Sequence, residues 1–241
     1  MVAAIQSRSD KSVDALLNLL WIAARLPETR PASGGVGVHA RATLMPFSAL
    51  RTVQAPGIVR THAIYFLQLT AFGAMEFTLT FLAVERFAFT VGDNAWMFVF
   101  VGLVIAFVQG GLVRRVVPRF GEIAVARAGL AIMIPGFVAV AAAQSPGLLY
   151  VGLGLLAVGS ALTMPSLSSL VSRYTPRDRQ GLTQGTLRSM GALSRAIGPV
   201  LGGLIYWRFG SAAPSAIGAA VMVLPLLVTR GLPPVPSDPA Q

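Results

Sequence analysis

AGLAIMIPGFVAVAAAQSPGLLYVGLGLLAVGSALTMPSLSSLVS, residues 128–172, runs for 45 positions without a charged side chain. A bilayer core about 30 Å thick is crossed by roughly 20 apolar residues of helix, so the run is too long for one span and right for two. Gln144, Ser145, Pro146 and Gly147 interrupt it near the middle, and such a cluster signals a turn. The stretch predicts a membrane hairpin with helices over residues 123–143 and 148–171.

Working outward, charge-poor stretches of spanning length recur. Residues 61–84 form a first span with Glu76 inside it, and residues 95–113 a second, opened by Trp96 and closed by Gly110, Gly111, Arg114 and Arg115. Residues 182–206 form a fifth, unusual in holding Arg188 and Arg195, and residues 211–228 a short, charge-free sixth. Residues 1–27 hold an apolar run too short to span and read as the tail of a helix whose beginning is missing. Residues 28–60, rich in Pro, Gly and Ala, read as a linker, 61–230 as the six-span bundle and 231–241 as a tail.

Composition agrees. Hydrophobic residues make up 54% of the chain and charged residues 12%, with a mean hydropathy of +0.70, whereas soluble domains carry about 25% charged residues. The spans are about twice the length of barrel strands, and backbone polar groups in lipid must be bonded internally, so the fold class is an all-α membrane bundle with the lipid bilayer as partner.

The net charge of +10 does not mark a nucleic-acid binder, because no basic run exceeds the pair Arg114–Arg115 and no aromatics interleave with basic residues. The arginines alternate instead. Arg30, Arg41, Arg51, Arg60, Arg114, Arg115, Arg119, Arg173, Arg177, Arg179 and Arg230 fall on one set of connections, Arg86 and Arg208 on the other. By the positive-inside rule both ends of the bundle are expected in the cytoplasm.

Several chemistries are unsupported. The absence of cysteine excludes disulfides and thiolate metal sites. No phosphate-cradling Walker loop occurs, His39 and His62 lack ligand partners at useful spacing, and neither a protease nor a metal-dependent hydrolase finds its residues. The expectation is a non-enzyme without metal or cofactor.

Charges at membrane depth are the candidate site. Arg195 lies about 18 Å into its helix, near the midplane, where an arginine costs about 2.5–3.5 kcal/mol unless it meets water or a counter-charge. Arg188 lies seven residues earlier on the same face, with Gln184 a turn below and Gly191 between. Glu76, about 15 residues into the first span, is expected within a turn or two of Arg195 in depth and able to pair with it. Such a cluster either fixes helix packing or lines a cavity for an anionic substrate. Gln109 is a cavity residue or an interhelical hydrogen bond. Gly198 and Gly202, with Pro199 between them, suit close packing, as does Pro165 in the fourth span; a hinge is the alternative.

The segment GSALTMPSLSSLVSRYTPRDRQGLTQGTLRSMGALSRAIGPVLGGLIYWRFG, residues 159–210, resembles the tenth and eleventh helices of major facilitator superfamily transporters of the tetracycline-resistance type. The eukaryotic tetracycline transporter-like organic anion transporters are the most similar group. MEFTLTFL (75–82), QGGLVRR (109–115) and LPETR (26–30) are similar to their seventh helix, eighth helix and the end of their sixth.

The resemblance implies a six-helix C-terminal half, with spans one, two, four and five facing a central cavity and spans one and five adjacent. It implies secondary transport; with the charges at membrane depth, the expectation is an antiporter or symporter of small organic ions or drugs of anionic character, proton-coupled or working by exchange, with Glu76, Gln109, Gln184, Arg188 and Arg195 along the path. A gating loop would carry Arg114, Arg115 and Arg119, although Arg115 stands where that motif often has an acidic residue. The missing N-terminal half, or a second chain, is an expected partner; a non-transporting scaffold or inactive truncated product is the alternative.

Overall fold

The computed structural model describes residues 57–235, which lie within one compact unit, Thr43–Gln241. The expectations for the partial helix, the linker up to residue 56, His39 and the last six residues fall outside the described residues. Six long helices follow: α1 Ile58–Phe87, α2 Val91–Phe120, α3 Glu122–Ala141, α4 Pro146–Tyr174, α5 Gln180–Phe209 and α6 Ala213–Val228. All but α5 are long and apolar enough to cross a membrane, α6 when taken with the 3₁₀ turn that continues it to Gly231; α5, as long as α1, carries Arg188 and Arg195 in its body. The chain is an integral, multi-pass α-helical membrane protein.

The helix ends follow from local chemistry. At the start of α2, Thr90 and Asp93 form a reciprocal cap: the Asp93 N–H donates to Thr90 Oγ1 at 3.3 Å, and the Thr90 N–H donates to Asp93 Oδ2 at 2.8 Å. Ser145 accepts from the Leu148 N–H at 3.4 Å ahead of Pro146, whose missing N–H is harmless at a first helical position. Arg86 closes the end of α3, donating from Nη1 to the carbonyls of Ala141 (3.0 Å) and Ala143 (2.8 Å).

One expectation is corrected. Arg114, Arg115 and Arg119 do not lie on a loop; they sit in the helical end of α2. The glycines expected to close the second span are absorbed in a π-helical turn, Val108–Leu112. Beyond it Val113, Val116 and Val117 keep one face against Val125, Ala161 and Leu162, so packing continues and the helix with it. The break comes at Gly121, whose φ of 81° suits glycine and which alone connects α2 to α3.

Two seams hold the bundle. In the α3–α4 hairpin, Gly129 and Gly136 face Gly159 and Gly152 across the antiparallel pair. A methyl group on Gly159 would come within 2.5 Å of the Gly129 carbonyl oxygen, and one on Gly152 within 3.0 Å of the Gly136 oxygen. Without a hydrophobic force between helices in lipid, such backbone approach and its dispersion contacts carry the association.

The second seam joins α1 to α5, which run parallel: Gly191 meets Tyr65, Gly198 meets Thr70–Ala74, and Gly202 meets Ala74. Ser194 Oγ donates to the Phe66 carbonyl oxygen at 3.1 Å. Helix α6 packs on α1 and α3, with Gly218 under the Phe137 ring. Helix α2 touches chiefly α4, and only 11% of its span is buried among the described residues, against 39% or more in the other apolar spans.

A side chain at Gly202 would overlap the Ala74 carbonyl. Gly202→Val is therefore expected to cost at least about 1–3 kcal/mol by overpacking, read as a fall of several degrees in thermal unfolding in detergent. Gly102→Val, where nothing lies within 4 Å, should leave that midpoint nearly unchanged. Arg86→Ala strips two charge-assisted bonds from the end of α3 and should cost about 1.5–3 kcal/mol in the same measurement.

Candidate functional site

The α1–α5 seam fixes how α5 is rotated. Thr183, Thr186, Leu187, Met190, Gly191, Ser194, Gly198 and Gly202 are buried. Arg188 and Arg195, seven residues apart, share one flank of the helix, about 90–110° round from the centre of that buried face, and both are exposed. Arg195 is at the middle of the 30-residue helix, and Pro199 lacks the N–H that would have bonded the Arg195 carbonyl. A guanidinium at mid-span on an outward face requires water or a second protein surface against it.

His62 lies in the same seam. Its Nδ1 is 2.8 Å from the Ile58 carbonyl oxygen and its Nε2 is 3.3 Å from the Thr183 carbonyl oxygen, so the ring bridges α1 and α5. Gln184 is half-buried and turned to α4, where its Nε2 donates to the Ser168 carbonyl at 3.0 Å and its Oε1 lies 3.4 Å from Ser168 Oγ. It ties two helices rather than standing open with the arginines. Gln109 is exposed in the π-turn of α2.

The expected pairing of Glu76 with Arg195 is not formed; the ion pairs among the described residues include Glu122–Arg173 and Asp178–Arg179 but not this one. Ala74 is level with Gly202 in the seam, so Glu76 lies two to two and a half turns beyond Arg195, roughly 10–13 Å along the axes. Glu76 is also turned elsewhere, bordering a crevice of about 20 Å³ between α1, α2 and α4 with Phe72, Phe98 and Leu153. It is exposed there, on the part of α1 that α5 leaves uncovered.

The structure adds a cluster that sequence reasoning missed. Glu122 at the start of α3 pairs with Arg173 at the end of α4 (2.9 Å) and accepts from Ser169 Oγ (3.2 Å). Close by on α3, Arg127 donates from Nε to Thr229 Oγ1 (3.2 Å) and from Nη2 to the Thr229 carbonyl (3.3 Å). A signal was present: Glu122 and Arg173 flank the charge-free hairpin nearly symmetrically about its turn, and antiparallel helices bring such flanks together.

The two ends of the bundle differ in charge. Among the described residues, the end bearing Gly121 holds Arg60, Arg114, Arg115, Arg119, Arg127, Arg173, Arg177, Arg179 and Arg230 against Glu122 and Asp178, a balance of +7. The opposite end holds Arg86 and Arg208 against Glu85 and Asp93, a balance of zero.

Comparison with known proteins places this arrangement. The Major Facilitator Superfamily model matches residues 115–241. Major facilitator superfamily domain-containing protein 10 of Mus musculus is 36% identical over 232 residues, covering 89% of this chain and 51% of the mouse protein. Tetracycline resistance protein, class G, of Vibrio anguillarum is 29% identical over 205 residues, covering 83% of this chain and 51% of its own length. The crystal structure of the human organic anion transporter MFSD10 (TETRAN) superposes with a TM-score of 0.72 at 33% identity, covering 77% of this chain and 46% of that one. The chain thus spans about half the length of the curated relatives it matches. With the family model lying over more than half of its residues, and with a six-helix membrane fold shared with a solved relative, the chain belongs to the Major Facilitator Superfamily of membrane transporters.

Proposed function

We propose that this chain forms one six-helix half of a secondary active transporter of small organic anions. In this reading the substrate passes between it and a second six-helix body, either an N-terminal half or another chain. The observation that carries the proposal is the outward, mid-span placement of Arg195 with Arg188 on the same face. Two fixed positive charges on a face left open by the α1–α5 seam suit a wet cavity that attracts anions. The similarity to a human organic anion transporter supports the same substrate class.

Within this proposal Arg188 and Arg195 bind the anion. Glu76, displaced along the path and without an arginine partner among the described residues, is the carboxylate that takes up and releases a coupling proton. Gln109 lines the path from the π-turn of α2, and Gln184 positions α5 against α4. The basic end faces the cytoplasm, as the charge balance between the two ends favours.

The test is uptake of an organic anion into proteoliposomes holding the complete two-half transporter. Arg195→Gln removes one charge-assisted contact and should lower uptake efficiency roughly 10- to 100-fold with the protein still folded and inserted; unchanged uptake would remove Arg195 from the path. In the same vesicles, Glu76→Gln should abolish acceleration by a proton gradient while exchange of substrate across the membrane persists. An intact response to the gradient would take the proton role from Glu76.

A further inference from the structure

Helix α2 carries one continuous outward stripe that changes character along its length. Leu103, Phe107 and Leu112 are 66%, 82% and 41% exposed, and Arg115 and Arg119 are exposed beyond them. The π-turn Val108–Leu112 keeps the stripe straight. A π-turn spends one extra residue and sets the helical phase back by about 100°, which brings Arg115 and Arg119 within about 20° of Phe107. In an unbroken α-helix the two arginines would lie about 80° and 120° away from it.

The dimensions match one lipid leaflet. Leu103 to Leu112 covers about 13 Å of axis, close to half of a 30 Å hydrocarbon core, and Arg115 and Arg119 follow about 5 and 10 Å further on, at headgroup depth. The opposite face of this segment is occupied by Val113, Val116 and Val117 in the core, so the arginines cannot turn inward. The Arg119 guanidinium lies 5.5 Å from the centre of the Phe120 ring, itself 59% exposed, which adds an aromatic group at the interface. The acidic residue nearest to Arg119 in sequence, Glu122, is engaged by Arg173.

We propose that the tip of α2 is an anionic-phospholipid site: Arg115 and Arg119 hold the headgroup of an acidic phospholipid, and Leu103, Phe107 and Leu112 carry its acyl chains. Charge complementarity selects the occupant. The stripe ends in two arginines within the +7 end of the bundle, and a zwitterionic headgroup brings no net charge to them.

Native mass spectrometry of the full chain, titrated with phosphatidylglycerol or phosphatidylcholine of equal chain length, tests it. The first phosphatidylglycerol should bind about thirtyfold more tightly than phosphatidylcholine, as two interfacial arginines imply. R115Q/R119Q should erase that preference, and R177Q/R179Q, which removes equal charge at the same end, should keep it. Equal affinity for the two lipids, or equal loss in both variants, overturns the site. A second measurement changes neither arginine: the chain has no cysteine, so Phe107→Cys carries a single nitroxide in phosphatidylglycerol nanodiscs. High oxygen accessibility there supports lipid contact, and low accessibility assigns the stripe to a protein partner and overturns the proposal.

Discussion

The contact between the Gly202 backbone and the Ala74 carbonyl sets the geometry of everything around it. In lipid, apolar side chains gain little by touching each other instead of acyl chains, so helices associate where backbones can come close. Glycines supply that approach twice, in the parallel α1–α5 pair and in the antiparallel α3–α4 hairpin. By burying the glycine face of α5, the first seam turns Arg188 and Arg195 outward. Rotating α5 by a third of a turn would drive guanidinium groups into α1, so the packing and the exposed charge are one arrangement seen from two sides.

The six helices were legible because charges delimit spans. Glu122 and Arg127 before the hairpin and Arg173 after it bracket two helices, and the polar cluster 144–147 divides them. Lateral position was less legible. Counting Glu76 and Arg195 from the apolar starts at 61 and 182 assumes an offset of 121 between level residues, whereas Ala74 and Gly202 differ by 128. Register between helices is fixed by which small residues meet, not by where apolar runs begin. That difference of up to seven residues separates two groups that depth alone had brought near each other.

The end of α2 shows a second limit. Gly110 and Gly111 followed by arginines look like a helix terminus, and by local propensity they are poor helix formers. In the fold they sit in a π-turn, and a methyl group on either would meet nothing within 4 Å. The glycines therefore do not serve packing among the described helices, unlike those of the two seams. The valines at 113, 116 and 117, spaced for one helical face, were the overlooked sign that the helix continues.

Helix α2 is tied to its successor by Gly121 alone and to its predecessor by three residues, yet it leans on few neighbours within the described bundle. Among the described helices the packing that fixes tilt is weakest at this one, so a mismatch between its apolar length and the surrounding hydrocarbon meets less resistance there than in the glycine-sealed pairs.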